Sequence, residues 1–116
     1  MIEQIEQAII ETGEILLHAE NITDFTHTKD GAANFVTEYD TQVQKILFSK
    51  LSAILPEASF MGEEESAHTY TDKGYLFIID PIDGTTNFIK QNHTSCISAG
   101  LLKDGKPYLG IVYNPY

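Results

Sequence analysis

An uninterrupted run of five apolar residues at positions 75–79, YLFII, leads directly into Asp80. Such a run without alternation is typical of a strand that is buried on both faces. Asp80 is therefore expected where a buried strand reaches the surface, and a strand end of this kind is a frequent position for ligand-binding residues. The run thus predicts both a sheet in the core and a polar site at the end of one strand.

Two amphipathic helices are predicted before this strand. Apolar residues recur at helical spacing over residues 2 to about 20, and again over 43–54. Thr37 and Asp40 resemble a capping box that opens the second helix, and Pro56 ends it. The residues between the two helices, 21–36, are expected to form a connector.

Short strands are predicted around the central run, at 58–61, 94–102 and 107–113, with turn residues that join the last two into a hairpin. Two helices followed by several strands predict an α+β or layered α/β fold, with the helices on a largely antiparallel sheet. Residues 1–116 are enough for a single domain. Because the chain ends directly after a strand, we expect it to be part of a larger fold or to pair with a second copy in a homodimer.

The charge and composition restrict the partners. The formal net charge is −10, which argues against nucleic acid, because phosphate backbones call for basic surfaces. No stretch is long and apolar enough to cross a membrane, and the acidic first residues do not resemble a secretory signal. A cytoplasmic location is therefore expected, and the single cysteine, Cys96, fits a reducing compartment and is expected in the core. All seven basic residues are lysines, so a bound phosphate has to be held by metal ions, backbone N–H groups or lysine.

The acidic turn after the strand is suited to such a task. Asp80 and Asp83 bring two carboxylates together, and Mg²⁺ commonly bridges carboxylates to a substrate phosphate. Gly84 allows a sharp turn, and Thr85 is a good N-cap for a short helix that offers free N–H groups to an anion. Glu63, in the acidic segment 62–65, can supply a third carboxylate from a neighbouring strand end. We therefore predict a magnesium and phosphate site.

Two other kinds of site would use the same residues. A calcium EF-hand loop that starts at Asp80 fails at Ile82, Thr85 and Gln91, which do not supply the required residue types. A phosphatase of the haloacid dehalogenase type uses Asp-x-Asp, and here one more residue separates the two aspartates. This second enzyme mechanism is the strongest rival.

Residues 80–88, DPIDGTTNF, resemble the signature of the inositol monophosphatase family, which comprises magnesium-dependent, lithium-sensitive phosphatases. The segments 34–40 and 60–64 are similar to the family's earlier elements and occur in the same order. The resemblance implies that the chain is the N-terminal part of a layered α-β-α-β-α sandwich. It also implies a Mg²⁺-dependent phosphomonoesterase that acts on inositol monophosphate or a similar small phosphorylated metabolite.

The same resemblance implies the roles of the site residues. Glu63, Asp80 and the main-chain carbonyl of Ile82 would hold a first Mg²⁺, and Asp80 and Asp83 would share a second, in a complete site with two or three ions. Glu63 would also orient a water molecule on the first metal, without a phosphoenzyme in the reaction.

Further roles follow for the residues around the phosphate. Thr85, paired with Asp40, would help to deprotonate the attacking water. The N–H groups of Gly84 and Thr85 would hold the phosphate next to Asp83, and Lys29 would lie at the outer edge of the site.

Three departures from the family pattern leave the substrate open. Asn34 replaces an aspartate, residues 89–92 differ from the usual run after the signature, and the chain has no Trp, although the family has a downstream Trp-Asp motif. The alternatives are a fructose-bisphosphatase-like enzyme or a 3′-phosphoadenosine nucleotide phosphatase of the same superfamily. A third is that these 116 residues alone are an inactive fragment or a metal-binding domain.

Overall fold

The computed structural model describes residues 1–19, 26–28, 35–62 and 71–116. In chain order, the elements are α1 (Ile2–Leu17), β1 (Thr26–Thr28), β2 (Phe35–Thr37), α2 (Glu38–Ile54), β3 (Ser59–Gly62), β4 (Tyr75–Asp83), α3 (Thr85–Ile89), β5 (Cys96–Lys103) and β6 (Lys106–Tyr113). Both long helices lie where the apolar spacing predicts them, and α1 ends three residues earlier than expected.

Four strands form the main sheet, in the order β3-β4-β5-β6. Strands β4, β5 and β6 run antiparallel to their neighbours, whereas β3 pairs with β4 in parallel. The hairpin between β5 and β6 turns at Asp104 and Gly105, whose φ angles of 52° and 78° are those of a two-residue hairpin turn. Two helices packed on a mostly antiparallel sheet confirm the predicted fold class.

The connector expected between the helices contains a second, smaller sheet. Strands β1 and β2 pair antiparallel, with Thr26 opposite Thr37. The prediction of a connector did not include these two strands, because three residues are too few to show a strand periodicity. Strand β2 leads directly into α2 and contacts both α2 and α3, so it helps to hold these two helices together.

The core lies between the two long helices and one face of the main sheet. Most of its buried side chains come from α1, α2, β4 and β5, and they include Ile9, Leu47, Phe77, Ile79 and Ile97. The apolar run 75–79 was expected to be buried on both faces of the strand. This prediction is wrong at Ile78, which is 40% exposed. Ile78 lies on the opposite face of the strand from Phe77 and Ile79, which belong to the core with the helices.

Among the described residues, no helix combines the length and the apolar character that a bilayer crossing requires. The helices of the described ranges instead have one buried face, as the residues of α1 illustrate: Ile5, Ala8, Ile9 and Leu16 are buried, while Glu3 and Glu6 are exposed. This division between an apolar and a charged face is the pattern of a helix that packs on a sheet.

Candidate functional site

Strand β4 continues beyond its apolar run and includes both aspartates of the acidic turn. Asp80 pairs with Ser98 and Asp83 pairs with Cys96, and the register shifts between the two pairs. Two residues separate the aspartates on β4, whereas one residue separates their partners on β5, so β4 carries one extra residue, a β-bulge.

The bulge decides which way the aspartates point. In a regular strand, residues three apart lie on opposite faces. Ser98 and Cys96 are two apart and share a face, and cross-strand partners also share a face, so Asp80 and Asp83 lie on the same side of the sheet. The structure therefore brings the two predicted metal ligands together by means of a feature that their spacing alone does not show.

The electrostatic environment of Cys96 is consistent with this placement. Its Sγ lies 3.9 Å from Oδ2 of Asp83. Burial raises the pKa of the Cys96 thiol above 9.0, and the negative charges of Asp83 and Asp80 raise this pKa further. Both carboxylates are thus close enough to act on one side chain, and the concentrated negative charge suits a cation. Cys96 itself is half-buried at the edge of the site, rather than in the core as expected.

Gly84 forms the turn after β4 and sits at the N-cap of α3. Its φ of 84° and ψ of 50° lie in the left-handed region, which glycine adopts more easily than other residues. Thr85 was predicted to be the N-cap, but it is the first helical residue, because the left-handed turn at Gly84 already starts the helix. The first N–H groups of a helix have no partner within the helix, so Gly84 and Thr85 begin a segment with backbone donors.

The side chain of Thr85 contacts two acceptors instead of capping the helix. Its Oγ1 lies 3.0 Å from Oδ2 of Asp40 and 3.1 Å from the carbonyl oxygen of Ile82. A hydroxyl has one hydrogen and can donate to only one of them at a time, while its own lone pairs remain able to accept a hydrogen bond. The structure thus joins Thr85 and Asp40, which are 45 residues apart in sequence.

Asp40 lies in the first turn of α2 and is fully buried, with an exposure of 0%. The neighbouring Tyr39 packs edge-on against Phe88 of α3, with ring centroids 5.7 Å apart. A buried carboxylate requires hydrogen bonds to offset the loss of solvation, and the Thr85 hydroxyl supplies one. The start of helix α2 therefore packs against helix α3, directly after the turn.

Two of the predicted site residues, Glu63 and Lys29, lie outside the described residues. Within residues 1–19, 26–28, 35–62 and 71–116, no group of three or more His, Cys, Asp or Glu side chains forms a metal site. The described donors are the carboxylates of Asp80 and Asp83 and the carbonyl of Ile82. These are hard oxygen donors of the kind that Mg²⁺ prefers.

Two buried polar residues were not singled out by the sequence. The hydroxyl of Ser95 is fully buried, and it has no hydrogen-bond partner among the described residues. Ser95 also lies close to the turn, since its Cα is 3.8 Å from the position that a Cβ on Gly84 would take. Gln44 is buried on α2, one turn after Asp40. Ser95 follows a polar loop and Gln44 lies within a helix. In neither case does the local sequence indicate that the polar side chain is buried.

The model of the inositol monophosphatase family matches residues 1–116, the whole chain. The chain belongs to this family. Inositol monophosphatase 2 of Saccharomyces cerevisiae is 39% identical to it over 124 aligned residues, which cover 100% of this chain and 42% of the relative. Inositol-1-monophosphatase of Caulobacter vibrioides is 37% identical, over 81% of this chain and 37% of the relative.

Solved structures of the family have the same fold. A Thermotoga maritima IMPase superposes with a TM-score of 0.85 at 31% identity, over 94% of this chain and 42% of that protein. The extragenic suppressor protein suhB of Bartonella henselae gives a TM-score of 0.86 at 31% identity, over 98% and 45% of the two chains. The chain thus spans about two-fifths of the length of the relatives it matches.

Proposed function

We propose that the protein containing this chain is a Mg²⁺-dependent phosphomonoesterase that hydrolyses inositol monophosphate or a similar small phosphate ester. The observation that carries the proposal is the bulge in β4, which sets Asp80 and Asp83 on one side of the sheet, directly before the Gly84 turn. Membership of the inositol monophosphatase family supports the same reaction.

In this proposal, Asp80, Asp83 and the carbonyl of Ile82, together with Glu63, hold the metal ions. Bound Mg²⁺ supplies charge neutralisation at the phosphate and lowers the pKa of a coordinated water molecule. Without cations, two carboxylates next to an anionic phosphate would repel it. The absence of arginine from the chain makes this dependence on metal ions stronger.

Thr85 and Asp40 handle the proton in this mechanism. When the Thr85 hydroxyl donates to Asp40, its oxygen faces the site as an acceptor for a proton of the attacking water. The water oxygen forms a bond to phosphorus as the ester P–O bond breaks. The alcohol oxygen takes up a proton from solvent as it leaves, and the proton that Thr85 and Asp40 removed from the attacking water returns to solvent. The N–H groups of Gly84 and Thr85 hold the phosphate oxygens during this exchange.

The second candidate is a phosphatase for a sugar bisphosphate or a phosphorylated nucleotide. One similar solved structure, with a TM-score of 0.78 at 30% identity, is described as an IMPase/NADP phosphatase complexed with NADP and Ca²⁺. Residues 89–92 after the signature differ from the usual inositol phosphatase run, which is the feature of this chain that favours testing such substrates.

The proposal is tested by measuring phosphate release by the longest form of the protein. The substrates are inositol monophosphate, a sugar bisphosphate and a 3′-phosphoadenosine nucleotide, each assayed with and without Mg²⁺. Asp80→Asn is expected to abolish turnover while the far-ultraviolet circular dichroism spectrum is unchanged. The matched control is Asp72→Asn, the same substitution at an exposed loop position, and it should retain full activity. Full turnover by Asp80→Asn would refute the assignment.

For residues 1–116 assayed alone, we expect weak Mg²⁺ binding and little turnover, because the chain spans 42% of the length of its yeast relative. This expectation concerns the chain without any further segment. Rapid Mg²⁺-dependent hydrolysis by these residues alone would show that they form a complete catalytic site.

A further inference from the structure

The loop after α3 folds back onto this helix and contacts it at Asn87. The backbone N–H of Asn92 donates to the carbonyl oxygen of Asn87 at 3.1 Å. The side chains of the same two residues also pair, because Nδ2 of Asn92 donates to Oδ1 of Asn87 at 3.0 Å. Gln91 and His93, on either side of Asn92, have left-handed φ angles of 56° and 62°, which commonly occur where a helix ends and the chain reverses. Asn92 is thus held against Asn87 through both its backbone and its side chain.

This side-chain pair determines the orientation of the Asn87 carboxamide. A carboxamide has one oxygen that accepts hydrogen bonds and one NH₂ group that donates them. Because Oδ1 of Asn87 accepts from Asn92, its Nδ2 group is the end that faces another partner. Within the ranges that the structure describes, Nδ2 of Asn87 donates to no acceptor. Asn87 therefore presents a donor whose direction is set by Asn92.

The donor of Asn87 lies beside the turn at Gly84. A Cβ placed on Gly84 would be 3.5 Å from Nδ2 of Asn87 and 3.8 Å from its Cβ. The two residues are three apart, a spacing that puts them on one side of a helical turn. Since Gly84 has no side chain, the carboxamide reaches the turn, and a side-chain N–H group joins the backbone N–H groups there. Such neutral donors matter for an anion in a chain that has a net charge of −10 and no arginine.

Ser95 brings a second polar side chain to the same turn. Its Cα is 3.8 Å from the position of a Cβ on Gly84. Its hydroxyl is fully buried, and the described part of the chain offers it no hydrogen-bond partner. Burying a hydroxyl without a partner costs free energy, and native proteins retain few such groups. Gly84 is thus flanked by two polar side chains with hydrogen-bonding capacity directed to no described residue.

We infer that the Asn87 carboxamide is a further phosphate-binding group, which donates from Nδ2 to a phosphate oxygen at the Gly84 turn, and that Asn92 is the positioning residue that orients it. This inference rests on the proposed function, because it adds a donor to the phosphate site of the same phosphatase. Asn92 belongs to residues 89–92, where the chain differs from the usual inositol phosphatase run. The inference gives this departure a role at the site.

Asn92→Asp tests the orienting contact and leaves Asn87 in place. An ionised carboxylate only accepts hydrogen bonds, so it attracts Nδ2 of Asn87 and turns Oδ1 towards the phosphate, where an acceptor is unfavourable. Binding of inorganic phosphate to the longest form of the protein is measured calorimetrically with Mg²⁺ at neutral pH. We expect its dissociation constant to rise about tenfold or more, as for the loss of a hydrogen bond to a charged group.

Asn114→Asp is the matched control for this variant. It is the same substitution at another exposed position, and it also removes one donated hydrogen bond, from Nδ2 to the carbonyl oxygen of His93 at 3.2 Å. The phosphate dissociation constant should stay unchanged in this control. An equal loss of affinity in Asn114→Asp would overturn the inference, because added charge alone would then explain the effect of Asn92→Asp.

Asn87→Ala removes the donor without adding charge, and it should also weaken phosphate binding about tenfold or more. If the two residues act through one contact, the double variant Asn87→Ala/Asn92→Asp should bind phosphate no more weakly than the weaker single variant. Additive losses would overturn the inference. Asn92→Asp and its control still decide the question if Asn87→Ala does not fold.

Mn²⁺ titration and thermal unfolding of the same variants separate this inference from the proposed function. We expect the Mn²⁺ dissociation constant to stay unchanged, because no proposed metal ligand is altered. A lower melting temperature of Asn87→Ala with an unchanged phosphate dissociation constant would show that Asn87 only ties the loop to α3. That result would overturn the inference while the proposed function stands. A wild-type protein that binds no phosphate with Mg²⁺, even at millimolar concentrations, would contradict the proposed phosphate site, and the inference would fall with it.

Discussion

Thr85→Val removes one hydroxyl from the candidate site and leaves the shape and the β-branched character of the side chain unchanged. The hydroxyl lies 3.0 Å from Oδ2 of Asp40, and Asp40 has an exposure of 0%, so water cannot replace the lost donor. A hydrogen bond to a charged group contributes about 1.5–3 kcal/mol. We therefore expect the free energy of unfolding to fall by about 2 kcal/mol.

Urea unfolding at pH 7, followed by circular dichroism, measures this loss. With a denaturant dependence of about 2 kcal/mol per molar urea, the midpoint should shift down by about 1 M. Thr86→Val is the matched control, because Thr86 is the next residue in the same helix turn and is exposed. Equal midpoint shifts in the two variants would refute the reasoning, since they would show that the Thr85 hydroxyl adds nothing to the pairing with Asp40.

The other predictions concern the turn and the thiol beside it. Gly84→Ala should lower the free energy of unfolding by about 1–2 kcal/mol in urea unfolding, because alanine resists the φ of 84°, whereas Gly110→Ala, which meets nothing within 4 Å, should not. Burial and the negative charges of Asp83 and Asp80 raise the pKa of Cys96 in the folded chain above the 9.0 of a free thiol. As the pH rises, the thiol therefore loses its proton in the unfolded chain before it does so in the folded chain. Stability from Cys96 is therefore fully present below about pH 9 and falls as the pH rises through the folded-state pKa. In urea unfolding over this pH range, the free energy of unfolding should decline less for Cys96→Ser than for the wild type. Equal declines in the two proteins would contradict the raised pKa of Cys96.

The helices, the hairpin and the positions of the longer strands along the chain could be predicted because each depends on local sequence. Apolar spacing determines which face of α1 and α2 is buried, and Asp104-Gly105 provides the two left-handed residues that a short hairpin turn requires. The strands β1 and β2 could not be predicted in this way. Three residues carry too little periodicity, and their pairing depends on contacts with each other.

The candidate site shows the same limit. The sequence places Asp80 and Asp83 at a strand end, but the bulge that turns them to one side depends on their pairing with β5. The pairing of Thr85 with Asp40 followed from the family resemblance and from no property of the two segments themselves. Gln44 and Gly62 meet through the packing of α2 on β3, for which neither residue gives a local signal. The roles of Glu63 and Lys29 remain predictions, because both residues lie outside the described ranges.

In the proposed function, Asp80 and Asp83 form a divalent metal site next to the Gly84 turn. Paramagnetic broadening by substoichiometric Mn²⁺ in ¹H–¹⁵N spectra of the intact chain tests it most directly. We expect the amide signals of residues 80 and 82–85 to broaden first, Mg²⁺ to reverse the effect by competition, and Asp80→Asn to abolish it. Broadening that is centred elsewhere, or that persists unchanged in Asp80→Asn, would contradict the account.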